Sequence, residues 1–328
     1  MDYTYTNSMG KEFLTISAQG MKEIPRTLSD ETRNLLVKDI SEDIDLSPLA
    51  RLLSLECLRL ESTSSSDLDL TTNREVKIDL APLESCPKLN SVELSGRSVS
   101  SLILPRVEQS IYFSARFTSL RNLDLSPLSE ISSIMFLCLD APLENIVLPS
   151  FENIIEKGIM QSEISLSGPT PSSFFSEPGL GFDDYHGPET IDLSLMQGRL
   201  FDIHLSGFPK LSQVKFPKTI PRGLTISGGN IEDIHLDVFE HSDIRSLALT
   251  YQKIPTIDIS PLSTCKEFHA LDLRGNLIEE LDITTLFKHP EMIDIEEVEY
   301  YLYVDENVRL YRVSALGNQY QPHYQWRV

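Results

Sequence analysis

The sequence predicts a β-rich α/β solenoid, in which one short unit of chain is repeated many times, and three observations lead to this prediction. Nearly identical six-residue segments recur, aliphatic-x-aliphatic pairs recur at a short period, and no catalytic motif interrupts them. The segments are "IDLSPL" at 44–49, "IDLAPL" at 78–83, "LDLSPL" at 123–128 and "IDISPL" at 257–262. Internal repeats with a period of about 20–50 residues are typical of solenoids.

The period of the aliphatic pairs defines the repeat. The second aliphatic of each pair stands at Ile16, Val37, Leu60, Leu94, Phe113, Leu139, Leu166, Leu205, Ile226, Leu249 and Leu273. The steps between them are 21, 23, 34, 19, 26, 27, 39, 21, 23 and 24 residues. Alternation at period 2 directs both aliphatics inward and the residue between them outward. This pattern predicts about eleven rungs, each adding one strand to a parallel concave sheet, with a second short strand and a short helical or 3-10 turn on the convex side.

The best copy of the repeat is "FHALDLRGNLI" at 268–278, which carries Asn276 after its aliphatic pair. This segment resembles leucine-rich repeats of the prokaryotic kind, and the S-P-L endings are similar to those of internalin-type repeats. The resemblance implies a horseshoe that binds a protein partner through its repeated concave face. It does not imply an invasin role, because no secretory signal or surface anchor is visible and two rungs carry insertions.

The composition narrows the class of partner. The formal net charge is −21 and the basic residues are scattered, whereas nucleic acids and anionic membranes require clustered Lys and Arg. The first residues lack the apolar stretch of a secretory signal, and the four cysteines have no metal-ligand spacing. We expect an acidic, cytoplasmic protein that acts as a monomer, with neither nucleic acid nor membrane as its partner.

The repeat pattern also divides the chain. Residues 1–12 form an N-terminal segment and residues 13–290 form the solenoid, with insertions at 61–77 and 168–190. Residues 291–328 contain most of the tyrosines and alternate at period 2 around Asp305-Glu306-Asn307, which predicts a C-terminal β-hairpin and aromatic cap. The alternative is that this aromatic end is a dimer or partner interface.

The recurring aspartates invite two interpretations. In "IDISPL", Asp258 points outward, Ser260 is expected to be the N-cap of a short helix and Pro261 its first residue. The aspartate column then serves as a solvated edge or as a local cap for backbone N–H groups. The other interpretation is a row of metal-binding carboxylates.

Two surfaces are candidates for partner binding. The concave face is expected to present Arg59, Glu93, Tyr112, His204, Asp272 and Arg274. The insertion at 168–189 carries Phe174, Phe175 and Tyr185, either exposed for binding or folded back on the solenoid. Arginine and tyrosine are enriched among the residues that dominate binding energy, so they are the expected anchors.

The expected function is therefore a non-catalytic protein-interaction scaffold that needs no cofactor or metal. The alternative is a hydrolase-like or metal-dependent activity. Such an activity would be built on His204, beside Ser165 and Thr225, or on the "DDYH" segment at Asp183–His186. No P-loop, dinucleotide fingerprint or paired cysteine motif is present in the sequence.

Overall fold

The computed structural model of the chain describes residues 3–6, 12–18, 23–62, 75–96, 98–131, 133–149, 163–169, 185, 187–194, 202–217, 219–288 and 301–311. Within these ranges the chain forms two compact units, residues 1–188 and residues 189–328. Each unit contains a main sheet and pairs of shorter second strands.

The first unit alternates between strands of its main sheet and strands outside it. The strands are β1 (Tyr3–Thr6), β2 (Glu12–Ser17), β3 (Asn34–Ile40), β4 (Cys57–Ser62), β5 (Val76–Asp79), β6 (Ser91–Ser95), β7 (Val99–Ile103), β8 (Ile111–Arg116), β9 (Asn122–Asp124), β10 (Ile134–Leu139), β11 (Asn145–Val147) and β12 (Glu163–Ser167). The main sheet has the order β1-β2-β3-β4-β6-β8-β10-β12, whereas β5 pairs with β7 and β9 with β11. All these pairs are parallel except β1 with β2, so the segment predicted to precede the solenoid contributes an antiparallel strand to its edge.

The second unit repeats this arrangement. Its strands are β13 (Thr190–Asp192), β14 (Asp202–Ser206), β15 (Gln213–Lys215), β16 (Gly223–Ser227), β17 (Ser246–Thr250), β18 (Ala270–Asp272), β19 (Glu280–Asp282), β20 (Tyr301–Tyr303) and β21 (Arg309–Tyr311). The main sheet has the order β14-β16-β17-β18-β20, and β13 pairs with β15 and β19 with β21, all in parallel. The predicted parallel sheet and second short strands are thus confirmed.

The turns between rungs are 3-10 helices rather than α-helices. They span Ser47–Arg51, Ala81–Ser85, Ser126–Leu128, Asp237–Phe239, Ser260–Thr264 and Thr284–Lys288. Proline occupies the start of four of them, where its fixed φ suits the turn and its missing N–H leaves no donor unpaired. Short helices suit a narrow repeat because a 3-10 turn rises about 2.0 Å per residue and reverses the chain in few residues.

The core lies on one face of each main sheet and is aliphatic, as period-2 alternation requires. Leu35, Leu58, Val92 and Ile164 are 0 or 1% exposed. In the middle of the first unit, Phe113 and Phe136 stack with ring centroids 4.9 Å apart. One rung cannot bury these side chains alone, so the core forms only when neighbouring rungs stack.

The structure corrects the predicted register of two rungs. Leu94 pairs with Ala115, Ala115 with Cys138, and Cys138 with Leu166. The second inward residue of β8 is therefore Ala115, and Phe113 is the first. The second inward residue of β10 is Cys138, and Leu139 points to the other face. The corrected steps are 21, 23 and 28 residues, and Ala115 and Cys138 are fully buried. The pattern favoured Leu139 because two leucines of β10 point away from the core, and a shift of one residue exchanges the two faces of a strand.

The predicted C-terminal hairpin is also wrong over the residues that the structure describes. Strand β20 pairs with β18 and strand β21 with β19, so the two strands do not pair with each other. Leu302 aligns with Leu271 and Leu310 aligns with Leu281, as in two successive rungs. A hairpin and a rung share period-2 alternation, and only the pairing partner distinguishes them. Whether residues 291–328 form a closing cap stays a prediction.

Candidate binding surface

The face of each main sheet that points away from the aliphatic core is called the open face here. Hydrogen-bonded register places Thr15, Leu36, Arg59, Glu93, Ser114, Leu137 and Ser165 in one column of the first unit. The corresponding column of the second unit contains His204, Thr225, Ala248, Asp272 and Tyr303. These columns are the surface that the sequence predicts to be the concave binding face.

The open face of the first unit is not exposed along its whole length. Phe13, Thr15, Leu36 and Cys57 lie on it, yet each is at most 2% exposed. Phe13, Leu36 and Cys57 form an apolar cluster of their own, separate in side-chain direction from the main core. The open face of β2 and β3 is therefore buried at Phe13, Thr15 and Leu36.

Arg59 and Glu93 mark the boundary of that buried cluster. They face each other across β4 and β6, and the Arg59 guanidinium donates to Glu93 Oε2 from Nε at 2.9 Å and from Nη2 at 2.5 Å. The Arg59 guanidinium carbon also lies 5.4 Å from the centroid of the Phe13 ring. Both charged side chains are about one quarter exposed, which leaves their outer edges available to a partner.

Tyr112 lies two residues before this column, beside an aliphatic stripe. Its register neighbours are Ser91 and Met135, and it is half-buried. Met135, Leu137 and Leu139 follow one another along the open face of β10, each partly exposed. With Leu139 as the inward marker, the sequence pattern predicts Cys138 on this face, whereas Cys138 is in the core and the leucines beside it are outside.

The second unit carries a more concentrated cluster, called the tyrosine–arginine patch here. It consists of Tyr251, Asp272, Arg274, Tyr301 and Tyr303. Arg274 donates to Asp272 twice, from Nε to Oδ1 at 3.0 Å and from Nη2 to Oδ2 at 2.6 Å. The guanidinium carbon of Arg274 lies 5.0 Å from the centroid of the Tyr303 ring. The rings of Tyr301 and Tyr303 are parallel within 2°, with centroids 6.0 Å apart.

Tyr251, a member of the patch, has an unusual backbone conformation. It follows β17 with φ +54°, at the place where the neighbouring rungs have Gly207, Gly228 and Gly275 with φ between +68° and +73°. Its N–H donates to the carbonyl of the next rung at 2.9 Å, as the N–H groups of Gly207 and Gly228 also do. The Tyr251 side chain is 66% exposed. A bulky side chain is rare in the left-handed region, so the repeat geometry itself would favour glycine at this position.

His204 lies on the open face of β14 beside Thr225 on β16. No hydrogen bond between these two side chains is found in the residues that the structure describes, and the acid nearest in sequence on the same face is Asp202. Within the described ranges, no group of three His, Cys, Asp or Glu side chains is placed to hold a metal ion. Asp183, Asp184 and His186, which the sequence offered as alternative ligands, lie outside the described residues.

Only part of the insertion at 168–189 is described. Tyr185 packs against the first unit, where its hydroxyl donates to the Leu143 carbonyl at 3.1 Å. Burial, followed by the nearby Glu144 carboxylate, raises the pKa of the Tyr185 phenol well above its usual value. Phe174 and Phe175 lie outside the described residues.

Sequence reasoning missed the tyrosines of the patch. The hairpin predicted within residues 291–328 includes Tyr301 and Tyr303, and the predicted binding residues do not include Tyr251. Two signals would have found them. Aligning residues 301–303 as another rung places both tyrosines on the open face, and aligning Tyr251 with Gly207, Gly228 and Gly275 reveals an aromatic residue where the repeat has glycine.

Solved structures that are similar to the chain include leucine-rich-repeat proteins. An internalin from Listeria monocytogenes is 12% identical, with 93% of this chain and 83% of that chain covered at a TM-score of 0.36. A leucine-rich repeat protein from Bacteroides thetaiotaomicron is 11% identical, with 87% and 52% covered and a TM-score of 0.26. The leucine-rich-repeat ectodomain of the plant membrane receptor kinase GASSHO1/SCHENGEN3 from Arabidopsis thaliana, solved with CASPARIAN STRIP INTEGRITY FACTOR 2, is 14% identical, with 88% and 40% covered and a TM-score of 0.27.

No known protein-family profile and no curated protein sequence matches the chain. The low TM-scores mean that the repeat is assigned from the chain's own geometry, namely parallel strands joined through second strands and 3-10 turns. The chain thus folds as a repeat solenoid, and the solved structures that are similar to it include leucine-rich-repeat proteins. Over the residues described, it contains no helix long and apolar enough to cross a bilayer.

Proposed function

We propose that the protein is a non-catalytic interaction scaffold that binds a protein partner through the open face of its main sheets. The observation that carries this proposal is the tyrosine–arginine patch. Arg and Tyr are enriched in measured hot spots of protein interfaces, and here they are gathered, at least partly exposed, on β20 and just after the ends of β17 and β18. A rigid parallel sheet holds such side chains in place, so little ordering entropy is lost on binding.

Arg59 and Glu93 provide a second anchor on the open face of the first unit. The pair is held across two strands and is partly desolvated, which suits a contact that sets the orientation of a partner. The half-buried stripe of Met135, Leu137 and Leu139 would supply the apolar surface beside it. The insertion at 168–189 is the other proposed contact surface, with Tyr185 fixing one end of it to the solenoid.

Position-specific crosslinking tests the proposal. A photoreactive amino acid is placed on the open face at Thr225 or Ala248, and on the second strands at Lys215 or Arg309, and each protein is incubated with an extract of the native organism. We expect one partner to crosslink from the open-face positions only, and the crosslink to be lost in Arg274→Ala and Tyr303→Ala. Arg245→Ala is the matched control, because Arg245 forms an exposed ion pair with Glu267 outside the patch.

Binding through the open face would be contradicted if the same partner also crosslinked from the second strands. It would also be contradicted if the crosslinking yield were unchanged in the patch variants and in Arg59→Ala.

A further inference from the structure

The exposed position of Tyr251 points to a ligand. An aromatic residue at φ +54° replaces the glycine found in the three neighbouring rungs. The replacement adds no aliphatic core, because the side chain is 66% exposed. The ring is therefore exposed aromatic surface within the tyrosine–arginine patch.

A carboxylate lies beside this tyrosine. A Cβ placed on Gly275 would lie 2.4 Å from Tyr251 Cδ1, so the ring of Tyr251 rests against the Gly275 backbone. The N–H of Gly275 donates to Asp305 Oδ2 at 2.8 Å, and Asp305 is only partly buried. An exposed ring next to a partly exposed carboxylate is a combination that attracts an ammonium or guanidinium group.

The charge of the patch favours the same class of ligand. Arg274, the cation of the patch, already donates two hydrogen bonds to Asp272 and covers one ring face of Tyr303. An incoming anion would have to displace Asp272 from Arg274, whereas the Tyr251 ring is exposed and the Asp305 carboxylate is partly exposed to an incoming cation. The net charge of −21 would also increase the rate at which a basic partner arrives.

We propose that the tyrosine–arginine patch binds a basic segment of a partner protein, with an arginine or lysine side chain placed over the Tyr251 ring and beside the Asp305 carboxylate. This inference rests on the proposed function and names the chemical class of partner for the second unit. Arg274 and Tyr303 then form the wall of the site, and Asp272 holds that wall in position.

Titration of the full chain with labelled peptides tests the proposal. The probes are a short peptide in which arginine alternates with glycine and serine, its isosteric counterpart with neutral citrulline, and a counterpart with glutamate. We expect the arginine peptide to bind, and its affinity to fall as the salt concentration is raised. The citrulline and glutamate peptides are expected to bind at least about tenfold more weakly than the arginine peptide. Tyr251→Gly and Asp305→Asn are each expected to weaken the arginine peptide by at least about tenfold.

Phe117→Gly is the matched control. Phe117 is an exposed aromatic residue with φ +54° in the first unit, so its replacement makes the same backbone change outside the patch. It is expected to leave arginine-peptide binding unchanged. Chemical unfolding of each variant excludes misfolding as the cause of lost binding, since glycine is the residue that neighbouring rungs have at the position of Tyr251.

The basic-segment proposal would be overturned if the arginine peptide did not bind, or if it bound no better than the citrulline peptide. It would also be overturned if Tyr251→Gly did not weaken binding, or if Phe117→Gly weakened it equally. The crosslinking experiment is independent of peptide charge. If a partner still crosslinks from Thr225 and Ala248, binding through the open face stands and only the class of partner is wrong.

Discussion

At the residue scale, the recurring aspartates act as local caps of the 3-10 turns. Asp258 Oδ1 accepts the backbone N–H of Ser260 at 2.8 Å, and Asp258 Oδ2 accepts its hydroxyl at 3.0 Å. The same backbone contact is made by Asp45, Asp79, Asp124, Asp192 and Asp282 to the residue two positions later. The expected N-cap role of the serine is therefore wrong, since the aspartate is the acceptor and the serine the donor. Of the two structural interpretations, the local cap for backbone N–H groups agrees with this geometry.

This assignment predicts unequal effects within the motif. Asp258→Ala removes both acceptor contacts and is expected to lower the free energy of unfolding by about 1 kcal/mol. Ser260→Ala should cost only a few tenths of a kcal/mol, because the backbone N–H contact remains, as it does naturally between Asp79 and Ala81. Urea unfolding of both variants measures the difference. Asp258→Asn, which keeps an acceptor, is the control, and a larger loss for Ser260→Ala than for Asp258→Ala would restore the serine as the cap.

The same contacts predict how stability depends on pH. The hydroxyl of Ser194, followed by the ammonium of Lys215 and the Ser194 N–H, lowers the pKa of Asp192 from 3.8 to about 2. Because the pKa is lowered in the folded state, this carboxylate stabilises the protein above about pH 4, and the contribution is lost as the pH falls toward 2. The side chain is 43% exposed, so screening keeps the contribution at about 1 kcal/mol or less. Asp192→Asn should therefore show a shallower loss of unfolding free energy over this pH window than the parent protein; equal slopes would contradict the assignment.

In the rungs of β17 and β18, an amide side chain orders the turn that follows the main-sheet strand. Asn276, at the asparagine position of the repeat, donates to the carbonyls of Leu249 and Leu273 at 2.7 Å. In the preceding rung Gln252 is 4% exposed, donates to the carbonyls of Ile226 and Thr250 and accepts the Ile231 N–H. The longer amide of Gln252 thus makes hydrogen bonds to the backbone of this turn, as Asn276 does in the next rung.

At the scale of elements, β20 and β21 behave as a rung. Tyr301 N–H donates to the His269 carbonyl, Leu273 N–H to the Tyr303 carbonyl and Arg309 N–H to the Glu279 carbonyl, at 2.8–2.9 Å. These bonds hold the strands to the preceding rung rather than to each other. The position of Tyr303 beside Arg274 depends on this pairing, because a hairpin would carry the tyrosine away from β18.

The pairing predicts that Leu302 stabilises the second unit. Leu302 is 8% exposed and aligned with Leu271, so Leu302→Ala is expected to lower the free energy of unfolding by about 2–3 kcal/mol. Tyr311→Ala is the control, because Tyr311 is 43% exposed and should cost less than about 1 kcal/mol. Hydrogen exchange offers a second check, in which protection of the Tyr301 and Leu273 amides is expected. Rapid exchange at both amides would contradict the rung.

Residues of β8 and β10 show the limit of prediction at this scale. The repeat and its strands could be predicted, because spacing along the chain is a local property. The inward face of β10 could not, because Phe136, Cys138, Leu137 and Leu139 are all apolar and alternation alone does not choose between them. The choice is made by the partner strand, since the Phe113 ring on β8 stacks on Phe136.

At the scale of the whole molecule, all four cysteines are buried, three of them in the core and Cys57 in the apolar cluster on the open face. Cys57, Cys86, Cys138 and Cys265 form no disulfide and are at most 2% exposed. Cys86 and Cys265 occupy equivalent turns, where their Sγ atoms donate to the carbonyls of Leu49 and Phe239. Burial raises the pKa of Cys86 to about 11 and that of Cys138 to about 12.

Thiol reactivity is therefore expected to report unfolding. Because the thiolate is the reacting form, native protein at neutral pH should label with iodoacetamide at a small fraction of the rate of unfolded protein. Mass spectrometry after a labelling pulse at increasing urea should show each unit labelling at its own unfolding transition. Labelling of any of the four cysteines before that transition would contradict a closed core.

Sequence and tertiary structure determined different features of this protein. The aliphatic period, the S-P-L segments and the aspartates before them were enough to predict a leucine-rich-repeat solenoid with a parallel sheet, second strands and 3-10 turns, because each of these follows from the spacing of residues along one repeat. The tertiary structure decided the registers of β8 and β10, the rung at 301–311, the buried cluster at Phe13 and the patch at Tyr251. They depend on which residues of adjacent rungs come into register, and that pairing is set by packing between strands twenty or more residues apart, which spacing along the chain does not specify.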